Sequence, residues 1–173
     1  MTLSTIVSGL KDTMVTTIKG ASDVLTALRT AVKDQVVGTT GDVSSVVEAA
    51  VVSAKDIGTS MMTTVKESVS AAIAAVSETG GDAMKAAWMA ASGAVMGASE
   101  MAEDLGSAAV SAVEGAIEAA GKVGKTTDEA VKMAVGGAVE AADKIGAEAG
   151  KSVRDALRAA ASLPKDLIES ALS

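Results

Sequence analysis

A chain of 173 residues with no His, Cys, Phe or Tyr, one Trp and one Pro, and a hydrophobic content of 49% that is mostly Ala and Val, can build only a thin core, because small side chains each remove little apolar area from water. Its 22 acidic and 15 basic residues, a net charge of −7, exclude the basic patch and aromatic platforms that nucleic acid requires. Without His or Cys, the usual soft-metal sites, thiol chemistry and a disulfide framework are excluded as well.

The opening MTLSTIVSGLKD lacks a basic n-region and an apolar run of about 7 to 15 residues, so no signal peptide is expected and the chain reads as cytoplasmic. Along the chain, helix-stop and helix-start residues cluster at VVGTTGDV (36–43), ETGGDA (78–83), VGKTTDEA (123–130) and SLPKD (162–166). Gly ends helices by adopting the left-handed conformation, and Asp, Ser or Thr starts them by accepting from orphan amides. Gly38, Asp82 and Thr126 stand 44 residues apart. This spacing predicts a single all-α domain over 1–173, with four helices near 2–37, 42–79, 82–123 and 127–162 and a short tail at 163–173. Each helix would be about 55–60 Å long, and short links favour antiparallel neighbours in a bundle or hairpin array. The alternative is one or two very long extended helices, since Gly58, Gly106 and Gly146 show that Gly is not reserved for turns.

A repeat runs through these elements. EGAIEAAGKVG (114–124) and GGAVEAADKIG (136–146) are nearly one phrase at a spacing of 22. The same step aligns Lys11-Asp12, Lys33-Asp34, Lys55-Asp56, Ser77-Glu78, Ser99-Glu100, Gly121-Lys122, Asp143-Lys144 and Lys165-Asp166. It also aligns an apolar column: Leu3, Leu25, Val47, Val69, Ala91, Val113, Val135 and Leu157. Halving the step to 11 residues, or 3.67 per turn, places Val47, Ala50, Val51, Ala54 and Ile57 within an arc of roughly 130° on one helix face. If charge ignored this phase, the five stripe classes would hold about 17 of the 37 charged residues; they hold Arg29 and Asp128 alone. Arg29 is expected to reach solvent along its aliphatic stem or to pair with an acid on another helix.

Candidates for chemistry are few. Glu103-Asp104 and Asp128-Glu129 are paired acids, but adjacent helical residues point about 100° apart and suit helix starts better than a shared proton. The Ser residues have no His as base, and the Gly-rich stretches follow no strand, so no catalytic, cofactor-binding or metal-binding residue is assigned and no enzyme is expected. Residues 86–99, AAWMAASGAVMGAS, carry no charge. This run is too short for a bilayer, which needs about 20 residues. Either it is the most central helix of a bundle, or Trp88, Met89, Gly93, Met96 and Gly97 form a second contact face, with Gly93 and Gly97 as a small-xxx-small pair.

GLKDTMVTTIKGASDV (9–24) resembles the 11-residue repeats of perilipins, and VGGAVEAADKIGAEAGKSV (135–153) resembles those of synucleins; bacterial phasins and late-embryogenesis-abundant proteins are similar in texture. The resemblance implies amphipathic helices on lipid droplets, granules or membranes, although the Lys-rich character of synuclein repeats is missing from this acidic chain. The expected function is therefore a structural protein that self-associates or braces a larger assembly through its Ala/Val stripe. The alternative is an amphipathic coat of a lipid droplet, storage granule or membrane surface.

Overall fold

The computed structural model describes residues 24–38, 43–54 and 60–173; the first part of the helix expected at 2–37, the Lys11-Asp12 and Lys55-Asp56 repeats and Gly58 lie outside them. Every element among the described residues is helical: α1 Val24–Gly38, α2 Val43–Val52, α3 Met61–Glu78, α4 Ala83–Glu100, α5 Leu105–Val123, α6 Thr127–Ile145, α7 Ala147–Ala159 and α8 Lys165–Leu172.

Three of the four long helices expected from the sequence are replaced by shorter ones. The span 42–79 contains α2 and α3, 82–123 divides into α4 and α5, 127–162 divides into α6 and α7, and the tail beyond Pro164 is helical as α8. α4 is 18 residues long, about 27 Å, half the expected length. The division at 101–104 uses a turn that also forms at the two expected breaks on either side of it. Gly80, Ala102 and Gly124 have positive φ of 79°, 54° and 73°. Beside each is the long bond that closes such a helix end: the amides of Gly81, Glu103 and Lys125 donate to the carbonyls of Val76, Ala98 and Ala120, each at 2.9 Å. The following helix then starts on a side-chain cap. Asp82 accepts from the amides of Met84 and Lys85, Asp104 from those of Gly106 and Ser107, and Thr126 forms a reciprocal capping box with Glu129. Ser60 caps α3 in the same way. The caps at 60, 82, 104 and 126 and the left-handed residues at 80, 102 and 124 all recur at a step of 22.

The helices form two layers. In one, α1, α3, α5 and α7 lie side by side; in the other, α2, α4 and α6 do, with α8 against α6. Consecutive helices pack across the layers. Gly93 lies on Ser44 and Gly97 on Glu48, so α2 and α4 run parallel and α3 carries the chain back between them. Three glycines set the spacing within layers. A Cβ on Gly93 would sit 2.1 Å from the carbonyl oxygen of Ser44, one on Gly115 2.5 Å from that of Lys66, and one on Gly137 2.0 Å from that of Trp88.

Of the apolar column, Leu3 and the side chain of Leu25 lie outside the described residues; Val47, Val69, Ala91, Val113, Val135 and Leu157 are fully buried, as are Ala94, Ala98, Ala116, Ala138 and Ala142. The helices α2 to α6 bury further small residues, such as Ala49, Ala71, Ala75, Ala86, Ala108, Ala119, Ala130 and Ala141.

Contact at the backbone makes Gly137→Ala costly, by about 1–3 kcal/mol, since a helix must shift to admit the methyl group. Gly121→Ala, on α5 with nothing within 4 Å of the new Cβ, raises stability by about 0.5–1 kcal/mol. Denaturant unfolding of the two variants checks the opposite signs. The same measurement on Ala102→Gly yields a gain of about 0.5–1 kcal/mol, because Ala102 alone of the three left-handed turn residues carries a Cβ.

Candidate interaction site

The five residues of the uncharged run are divided among different neighbours. Gly93 and Gly97 are buried, and a Cβ on either would meet α2, on Ser44 for the first and on Glu48 and Val51 for the second. The small-xxx-small pair is thus occupied by a helix of the same chain. Trp88 is on the opposite flank, with its carbonyl on Gly137 and its indole beside Gly136, where a Cβ would sit 3.4 Å from Trp88 Cδ1. Met89 and Met96 are half-buried against the core. Met89 also lines a mostly apolar hollow of about 520 Å³ with Val36, Val37, Val43 and Val76, edged by Thr79, Asp82 and Lys85. α4 packs on α2, α3, α5 and α6. A helix with protein on so many sides has no outward face wide enough to need charge, which accounts for the neutral run.

On the other layer, ion pairs link helices that lie side by side. Arg29 on α1 donates from Nε to Glu67 on α3, and Lys33 pairs with Glu78 at 2.8 Å. Arg29 is also 49% exposed, so both expectations for it hold at once. Lys66 on α3 approaches Glu118 on α5 at 4.0 Å, and Lys122 bonds Glu118 at 2.7 Å. The hydrogen bond from Lys122 holds the Glu118 carboxyl below its ordinary range. The paired acids serve as helix starts: Asp104 caps α5, and Glu129 completes the box on Thr126, whose backbone amide lowers the carboxyl's pKa.

One cluster had no signal in the sequence beyond its charges. At the corner between α6 and α7, Arg154 donates from Nη1 to Asp143 Oδ1 at 2.8 Å and from Nη2 to Oδ2 at 2.7 Å. This clasp lies over Gly150, where a Cβ would fall 1.9 Å from Asp143 Oδ1. Arg154 lowers the Asp143 pKa, and Asp143 raises that of Arg154. Nearby, Ser162 Oγ donates to Glu114 Oε1 at 2.6 Å, tying the chain beyond α7 to α5.

Among the described residues no helix is long and apolar enough to cross a membrane, and no group of three or more His, Cys, Asp or Glu residues could hold a metal ion. Comparison with protein-family models, with curated proteins and with solved structures finds no match in any of the three.

The clasp implies a pH dependence. A carboxylate with a lowered folded-state pKa contributes stability above its unfolded pKa, about 4 for Asp. That contribution is lost as pH falls through the lower folded value. Asp143→Asn therefore has a lower melting temperature than the parent at neutral pH, and the gap narrows below about pH 4. Thermal melts from neutral pH into acid check it; a gap independent of pH excludes the ion pair as its source.

Proposed function

We propose that this chain is a non-enzymatic structural protein that self-associates or braces a larger assembly, built from an 11-residue helical phase taken two turns of the phase at a time. The observation that carries the reading is the location of the apolar stripe. Val47, Val69, Ala91, Val113, Val135 and Leu157 are all fully covered by the chain's own helices. A protein that works by laying this stripe on lipid would have to expose that whole column first, whereas one that works as a folded brace keeps it where it is. Further support comes from the ion pairs of α1, α3 and α5, which join neighbouring helices within one layer.

The coating alternative draws on one feature. A core of Ala and Val gains little per residue on burial, at about 25 cal/mol per Å², so opening the layers costs less than in a core of large side chains. Circular dichroism and Trp88 fluorescence separate the two readings. For the structural protein, helix content is full in buffer, melting is cooperative, and the Trp88 emission, set by the contact with Gly136 and Gly137 on α6, is unchanged by a lipid emulsion. Helix that forms only on the emulsion, with a blue shift of Trp88, replaces the structural reading with the coat.

A further inference from the structure

The joint between α6 and α7 differs from the three before it. The joints at 79–82, 101–104 and 123–126 each have a left-handed residue and a side-chain cap. Between α6 and α7 there is only Gly146, in extended backbone at φ 164° and ψ 165°, and no side chain caps α7. The first-turn amides of α7 therefore lack the partner that Ser60, Asp82, Asp104 and Thr126 supply to α3, α4, α5 and α6.

Were Gly146 to turn helical, α6 and α7 would merge into one helix of about 50 Å, and those amides would bond the last carbonyls of α6. Val135, Ala138, Ala142, Ala149 and Val153 would stay on one face, because the phase passes through the joint without a slip. What opening breaks is the seat of the C-terminal unit. Val153, Leu157, Leu163 and Ile168 would leave the core, and Arg154 would leave Asp143. A second copy that opens in the same way offers an identical seat, so every one of these contacts can be remade between molecules.

We propose that Gly146 is a hinge through which α7 and α8 of one copy seat on α5 and α6 of a second, forming a two-fold, domain-swapped dimer. The proposal rests on the self-associating branch of the function above and specifies its surface. Gly146 suits both states: nothing lies within 4 Å of a Cβ added there in the closed form, and a helical Gly is disfavoured relative to Ala by about 0.8–1.0 kcal/mol, close to fivefold. The native residue therefore holds the hinge closed, and Gly146→Ala favours the continuous helix.

The test uses the absence of native Cys. Glu114→Cys with Ser162→Cys places a thiol on α5 and one on the C-terminal unit, at side chains now 2.6 Å apart. If that pair perturbs folding, Ser107→Cys with Ala159→Cys, which line one groove between α5 and α7, replaces it. Each protein, with Gly146 or Gly146→Ala, is refolded from denaturant at low and high concentration, sized by light scattering, and joined with a short bifunctional thiol reagent. The expected result is a dimer fraction that rises with refolding concentration, an association constant raised about fivefold per hinge by Gly146→Ala, and crosslinks between chains in the dimer but within the chain in the monomer. A dimer whose crosslinks stay within each chain overturns the swap and leaves self-association to another surface. Monomer at every concentration in both proteins overturns the swap and the self-associating branch together, leaving the brace.

Discussion

Backbone contact between helices two apart in the chain is the constraint from which the rest of this structure follows. Gly93 on Ser44, Gly115 on Lys66 and Gly137 on Trp88 are the same contact made three times, each between residues 49 apart. Because no side chain intervenes, the helices of a layer approach as closely as helices can, which favours dispersion and Cα–H···O contacts over the burial of large groups. A chain made mostly of Ala and Val cannot stabilise a core by area per residue. It can do so by bringing main chains together, and that requires Gly at the crossing points and Ala on either side of them.

Repetition of one contact fixes the other dimensions. If each helix must meet the helix two before it at the same offset, helix length and turn geometry have to repeat, and they do: caps at 82, 104 and 126 follow left-handed residues at 80, 102 and 124. The ion pairs of α1, α3 and α5 are poor candidates for the organising force, since pairs such as Lys33–Glu78 have partners 38% and 65% exposed. Exposed pairs of this kind are worth about 0–1 kcal/mol each. They decorate an arrangement that close packing has already set.

This hierarchy explains what could be read from the chain alone. The helical class and the starts at Asp82 and Thr126 were legible because cap chemistry is local. The break at 101–104 was not, because its left-handed residue is Ala102, where a search for stop signals looks for Gly. The break at Gly146 was hidden for the opposite reason: a lone Gly is tolerated inside helices, and here it ends one without any of the usual companions. Gly93 and Gly97 were recognisable as a surface for close approach, but which helix approaches them depends on the 49-residue offset, a property of the folded layers that no single helix carries. Charge exclusion likewise pointed to residues that are buried, such as Val47, Val69 and Val113, and missed others, since Ala, Ser and Gly at positions such as 71, 93 and 111 are neutral whether buried or exposed. The pairing of Arg29 with Glu67, 38 residues away, is of the same kind.

At the C-terminal end the constraint takes another form. One more step of 22 beyond Gly137 reaches Ala159, and one more beyond Trp88 reaches Val110. Here the glycine at close approach is on the earlier helix, Gly106 of α5, where a Cβ would sit 2.6 Å from Ala156 Cβ. A groove opens between α5 and α7, lined by Val110, Ser111, Ala156 and Ala159. Leu157, Leu163 and Ile168 fill the wider space below with larger side chains than the Ala and Val of most of the core, while Lys151, Ser152, Asp155 and Arg158 give α7 a polar outer side. Both features set α7 apart from the helices before it. A terminal unit held by larger side chains, one clasp and a single-residue joint is the part that can be exchanged whole.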